Sequence, residues 1–217
     1  TGLRPRQLPI RGVDTKWFKA HRSVVTKLLG VVAPHHELGV VDSDPLSRIR
    51  VLDAGLAPGS PHDFAAPVAQ LAGLALQPRV VFVFENQESV LAMPRWPGAV
   101  VLHGNGYSVA ELMQLPWVQR SRVLYWGDLD SHGFAILHRA RCHHPHVTSV
   151  LMDEATLLAH RDLWVPDPKP TRGEFATLLA AETRTLDRLR SEGDVRLEQE
   201  RIPWQTALAA LRAADEQ

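Results

Sequence analysis

Three carboxylates carry the chemistry that this sequence suggests. Glu85 closes the apolar run Val80–Phe84, and Asp128 and Asp130 follow the apolar run Val123–Trp126 after one glycine. Residues i and i+2 of an extended segment point the same way, so Asp128 and Asp130 present two carboxylates to one point. Acids at the C-terminal tips of buried strands lie where open α/β sheets form their ligand crevice. Hard oxygen donors of this kind suit Mg2+ or Mn2+, whose remaining positions go to water and phosphate oxygens. The spacing therefore predicts Glu85, Asp128 and Asp130 as both the metal ligands and the catalytic acids of phosphate-ester chemistry. An Asp at a strand-to-helix junction also serves as a plain helix cap. A second acid-tipped strand, and Gly127 and Gly133 bracketing the pair, favour a site.

Further acids extend the set. Glu88 follows Glu85 by one helical turn, and Glu198 and Glu200 share a face if their segment is extended; each is a lesser candidate ligand, equally readable as a solvated surface acid. His132 directly follows the acids. The cluster His138, Cys142, His143, His144 and His146 has the side chains of a zinc site but no Cys-x-x-Cys partner, and reads as a histidine run after a helix.

The elements needed to hold the acids follow from hydrophobic patterning. Residues 80–152 alternate strand and helix: strands over 80–85, 99–103, 122–128 and 147–152, helices over 87–93, 107–116 and 132–141. Such a βαβ series gives an α/β fold with a mostly parallel sheet, helices on both faces and all strand C-termini at one edge. Glu85, the loop His103–Gly106 and Asp128 then share that edge. Ahead of the series, residues 14–32 read as an amphipathic helix and 48–53 as a short strand, while 64–77 is ambiguous between helix and loop. A boundary near residue 75 is expected. Beyond Pro166, a Pro-rich connector leads to a charged helix over 172–190 and a terminal helix.

Charge is divided along the chain. The 217 residues sum to zero net charge, yet residues 1–50 hold nine Lys/Arg against four Asp/Glu, and the remainder fifteen against twenty. Arg11 and Lys16 are the candidate DNA contacts in the basic part, with a solvated helix face as the alternative. The lone Cys142 excludes an internal disulfide and fits a reducing cytoplasm. No apolar run is long enough for a membrane span, and the beginning Thr1–Pro5 lacks a signal-peptide core. The expectation is a soluble, cytoplasmic, two-part protein.

A glutamate after one strand, glycines after the next and Asp-x-Asp after a third resembles the Toprim fold of topoisomerases, primases and related nucleases. More narrowly, Arg6-Gln-Leu-Pro-Ile-Arg-Gly-Val-Asp-Thr-Lys16, Phe84-Glu-Asn-Gln-Glu-Ser89, Trp126-Gly-Asp-Leu-Asp-Ser-His-Gly133 and Leu197-Glu-Gln-Glu-Arg-Ile-Pro203 resemble the C-terminal half of the JetD family, nuclease subunits of the Wadjet anti-plasmid system. The resemblance spans nearly the whole chain. It implies a topoisomerase VI A-like arrangement, with a winged-helix-like α+β DNA-binding module over 1–75 and a Toprim domain with a C-terminal helical extension over 76–217. It also implies Mg2+ or Mn2+, double-stranded DNA, a homodimer and an SMC-like ATPase complex as partners. Family members carry a longer N-terminal region with an extended arm, so the resemblance reads this chain as part of a longer one.

Topoisomerase relatives attack DNA with a tyrosine in the DNA-binding module. The two tyrosines here, Tyr107 and Tyr125, both lie in the Toprim-like part, so hydrolysis by an endonuclease is the expected reaction. Strand transesterification, a small-molecule phosphatase using an Asp nucleophile, and a non-catalytic DNA-binding subunit are the competing readings.

Overall fold

The computed structural model describes residues 2–104 and 106–217, and the backbone alone at Tyr107. Asn105, in the expected glycine loop, and the Tyr107 side chain lie outside the described residues. The chain divides into two units, 1–44 and 45–217.

In the first unit, a 3-10 turn at Pro5–Gln7 precedes the helix α1, Thr15–Val32. Asp14 caps α1 by accepting the Trp17 N–H at 2.7 Å. Leu3 and Val40 form a lone parallel bridge, and Arg22 pairs with Asp42. The outward residues of α1 include Val24, Leu28, Val31 and Val32.

The second unit is built on a six-stranded sheet in the order β2-β1-β4-β3-β5-β6. In chain order its elements are β1 Leu46–Val51, β2 Asp63–Pro67, α2 Val68–Ala72, β3 Val80–Phe84, α3 Gln87–Ala92, β4 Ala99–His103, α4 Val109–Met113, β5 Arg122–Trp126, α5 Ser131–His143 and β6 Thr148–Ser149. There follow α6 Glu154–Ala159, β7 Val165–Pro166, α7 Ala180–Ser191, β8 Val195–Arg196 and α8 Trp204–Asp215, with β7 and β8 forming a small antiparallel pair. Strand β1 runs against both β2 and β4, while the β4–β3–β5–β6 pairings are parallel. All five residues of β3 are fully buried. Covering both faces of a central strand is why its sequence is an unbroken apolar run rather than an alternation. Each such Val or Phe contributes about 1.5–3 kcal/mol of burial.

Several elements differ from expectation. The ambiguous stretch 64–77 holds most of β2 and all of α2, and β1 and β2 extend the main sheet, so the division falls at 44/45 rather than near 75. Among the described residues of unit 1 there is one long helix and no sheet, and the strands of the expected 1–75 module, β1 and β2, belong to the main sheet. The first strand spans 46–51 instead of 48–53, β6 only two residues of 147–152, and α4 is preceded by a 3-10 turn at 106–108. The charged helix starts at Ala180, eight residues later than expected, because the preceding stretch is tied to α5. There Thr177 Oγ1 lies 2.9 Å from His138 Nδ1, and Phe175 packs beside the His138 ring.

Candidate active site

Parallel pairing sets the site. Phe84 is level with His103 on one side and Trp126 on the other, so β3, β4 and β5 end together. The next residues, Glu85, Gly104 and Gly127, form one edge. Gly104 N–H donates to Phe84 O at 2.7 Å and His103 Nε2 lies 2.9 Å from Glu85 O, which ties the β3 and β4 tips, and Glu85 N–H donates to Trp126 O at 3.4 Å, which joins them to β5.

Both glycines around the Asp pair are required by close approach. A Cβ on Gly127 would collide with Glu85 Oε1 and the Tyr125 hydroxyl, and one on Gly133 would run into the Asp128 carbonyl oxygen. The space freed at Gly127 lets the Glu85 carboxylate lie across the β5 tip, where it accepts a hydrogen bond from the Tyr125 hydroxyl. Asp128 Oδ1 accepts the Gln199 N–H at 2.6 Å, and Asp130 Oδ1 accepts the Gly133 N–H at 2.7 Å, capping α5.

Electrostatics mark these acids as a group. Burial pushes Glu85 up to about 8; the Tyr125 bond opposes the rise, and the charges of Asp128 and Asp130 add to it. Asp128 is pushed up to about 6 chiefly by burial, relieved by the Gln199 N–H and raised again by Asp130 and Glu198. Asp130 is raised by burial, with the Gly133 bond opposing and Asp167 adding repulsion. Perturbed carboxylates gathered at a strand edge are a mark of function, because folding alone would pair or solvate them. Asp128 has partial relief from Arg196, which is itself paired with Glu198 at 2.6 Å.

The lesser candidates separate. Residues 199–201 form a 3-10 turn, so the extended segment that would align Glu198 and Glu200 is not formed. Glu198 lies beside Asp128 but is paired with Arg196 and Arg201. Glu200 accepts from Asn86 Nδ2 at 3.0 Å and, with Glu88, lines a groove of about 260 Å³ next to Trp126 and Trp204. His132 Nε2 sits 2.8 Å from Lys169 O. Tyr125 is fully buried against Glu85. Arg11, in the turn before α1, and Lys16, in its first turn, are exposed in the first unit.

Three residues at this edge carried no signal in the sequence. Gln199 and Asp167 reach it from distant segments, and Tyr125 was legible only as a strand residue. The quoted Leu197–Pro203 segment was the nearest pointer to Gln199.

A metal fits this edge by donor chemistry, since a hard dication relieves acids that burial and mutual repulsion push towards the neutral form. One oxygen of each acid is turned to a protein donor, and among the described residues no three His, Cys, Asp or Glu side chains stand together as a finished ligand set. Turning those oxygens towards a cation is the change that binding would require.

Fold and edge together define an α/β protein with a carboxylate site at the strand C-termini. The chain belongs to the family described as Wadjet protein JetD, C-terminal, whose model matches residues 39–211. A second model, described as an uncharacterized protein conserved in bacteria, N-term (DUF3322), matches residues 1–30. No curated protein matches the chain. Among the described residues, no helix is long and apolar enough to cross a membrane.

Proposed function

We propose that this chain is the Toprim-type nuclease part of a Wadjet JetD subunit, a divalent-metal-dependent DNA endonuclease acting in an anti-plasmid complex. The observation that carries this reading is the convergence of Glu85, Asp128 and Asp130 at one sheet edge, where burial pushes all three carboxylates up. Family membership supports the Wadjet role. Glu85, Asp128 and Asp130 would hold Mg2+ or Mn2+; the bound ion supplies an activated water and charge neutralisation at the phosphodiester. The chain's own residues orient these acids: Tyr125 holds Glu85, Gln199 N–H holds Asp128, and the start of α5 holds Asp130.

Tyr125 is not available for a tyrosine-linked intermediate, being buried with its hydroxyl spent on Glu85, and this supports hydrolysis; the Tyr107 side chain lies outside the described residues. Arg11 and Lys16 supply phosphate contacts to double-stranded DNA. By the family resemblance, residues 1–75 belong to a winged-helix-like DNA-binding module, two copies of the chain act across a duplex, and an SMC-like ATPase complex delivers the DNA.

Incubating supercoiled plasmid and Mn2+ with the protein, beside Asp128→Ala, tests the reading. Cleavage should fall about 100-fold or more in the variant, since even losses outside the ligand set cost 10–100-fold. Equal cleavage by both proteins defeats it, and a covalent protein–DNA adduct on denaturing gels would replace hydrolysis with transesterification.

A further inference from the structure

Gln199 stands between the two acid-bearing loops. Its backbone N–H donates to Asp128 Oδ1 at 2.6 Å, and its side-chain Oε1 accepts the Asn86 N–H at 3.1 Å. Asn86 directly follows Glu85, caps α3 by accepting the Ser89 N–H at 2.9 Å, and donates Nδ2 to Glu200 at 3.0 Å. One residue thus touches the loop after β3 and the loop after β5. The segment carrying it is held in register: Leu129 N–H donates to Leu197 O at 2.9 Å, and Leu197 N–H donates back to Leu129 O at 3.0 Å.

The Gln199 side chain is 1% exposed, and its Nε2 is buried with no hydrogen-bond partner among the described residues. An amide with an unused buried donor is a poor choice for stability alone, because an apolar side chain of similar size avoids that desolvation cost. Its contribution is the acceptor it gives to Asn86, which together with its own N–H on Asp128 joins the two acid-bearing loops through one residue.

We propose that Gln199 is a positioning residue for the acid edge, whose two arms set the spacing of Glu85 and Asp128 and so their readiness to take a divalent cation. The inference rests on the metal reading above. It acts through other groups: Gln199 orients the loops, and the carboxylates bind. Partners of ligand residues outside the ligand set typically change metal affinity 10–100-fold when removed.

The test uses the full chain with Mn2+ as probe. Gln199→Met removes the side-chain arm at nearly constant volume, and Gln199→Glu keeps an oxygen for Asn86. Calorimetry should show Mn2+ affinity reduced about 10–100-fold in the Met variant, with the melting temperature within about 4 °C of wild type. Hydrogen exchange on the metal-free proteins supplies a readout independent of metal. The Asn86 amide should be protected in wild type, exchange faster in the Met variant, and regain protection in the Glu variant.

Unchanged Mn2+ affinity in Gln199→Met overturns the proposal whatever the exchange result. Rapid exchange of the Asn86 amide in wild type also overturns it, and does so even if the Met variant fails to fold. Wild-type protein that binds no Mn2+ while Asn86 loses protection in the Met variant upholds the link between loops and overturns the metal reading instead.

Discussion

Acids at the two ends of the same parallel strands behave in opposite ways. Where β3, β4 and β5 begin, Asp215 from α8 accepts a bidentate pair from Arg79 at 2.6 and 2.7 Å and the Trp96 Nε1–H at 2.8 Å, and is held below the usual carboxylate range by the Arg79 bond. Arg122 closes the same end by donating to the last carbonyls of α8. Deeper in the unit, Glu182 joins α7 to α5 through a buried bidentate pair with Arg141 and a bond from Leu179 N–H at 2.8 Å; its bonds to Arg141 and Ser149 overcome burial and lower its pKa. Where the strands end, Glu85, Asp128 and Asp130 are raised instead, because burial disfavours their charge and the neutral donors that meet them offset it less than a paired cation would. Acids used for stability come with their cations. The acids at the strand tips lack enough, as the proposed cation site requires.

The comparison can be broken most severely at Arg141. Arg141→Met leaves Glu182 buried and unpaired, and should cost about 3–5 kcal/mol in chemical denaturation. Adding Glu182→Leu should recover most of it, since replacing a buried pair by packed apolar groups is often neutral. A single variant as stable as wild type would remove Glu182 from the paired class.

Titration separates the two classes by direction. Glu85 and Asp128 have folded pKa values of about 8 and about 6, above their ordinary 4.5 and 3.8. The folded state therefore holds more protons than the unfolded state between roughly pH 4 and 8, and stability falls as pH rises through that window. Glu182 and Asp215 are lowered, so their contribution is present at neutral pH and is lost on the acid side as pH falls through their folded values. Melting of chelator-treated protein should accordingly decline from pH 5 to pH 8, and Mn2+ at pH 8 should restore it. A flat profile with no metal response would erase the difference between the two ends.

The smallest effect is expected at Asp215. Asp215→Asn keeps acceptor capacity but loses the charge opposite the exposed Arg79, and should cost about 1 kcal/mol, or roughly 2–4 °C in melting temperature. Mn2+ affinity should be unchanged. A loss of metal binding on this substitution would mean that the two ends are coupled through the strands.

Much of the positioning was legible because it is local. Val80–Phe84 is an unbroken apolar run, as a strand covered on both faces must be, and a period of strand and helix places all the parallel tips on one side. Glu85, Asp128 and Asp130 could therefore be assigned to one edge before any coordinates. Strand β2 was hidden because Phe64–Pro67 runs straight into the Ala/Leu-rich α2 with Pro67 alone at the junction, and Ala suits a helix better than a strand. The late start of α7 was hidden because Phe175 and Thr177 are held by α5, a contact across the fold.

The amino-acid sequence alone determined the family, the parallel strand series and the three acids at its edge, since strand period, apolar runs and motif spacing are properties of neighbours along the chain. Tertiary structure decided how those acids are held. Gln199 meets Asn86 and Asp128, Asp167 acts on Asp130, and Tyr125 bonds Glu85 across two paired strands. These are encounters between segments 37 to 113 residues apart, or between adjacent strands, and burial there sets the carboxylate pKa values. No spacing along the chain encodes them.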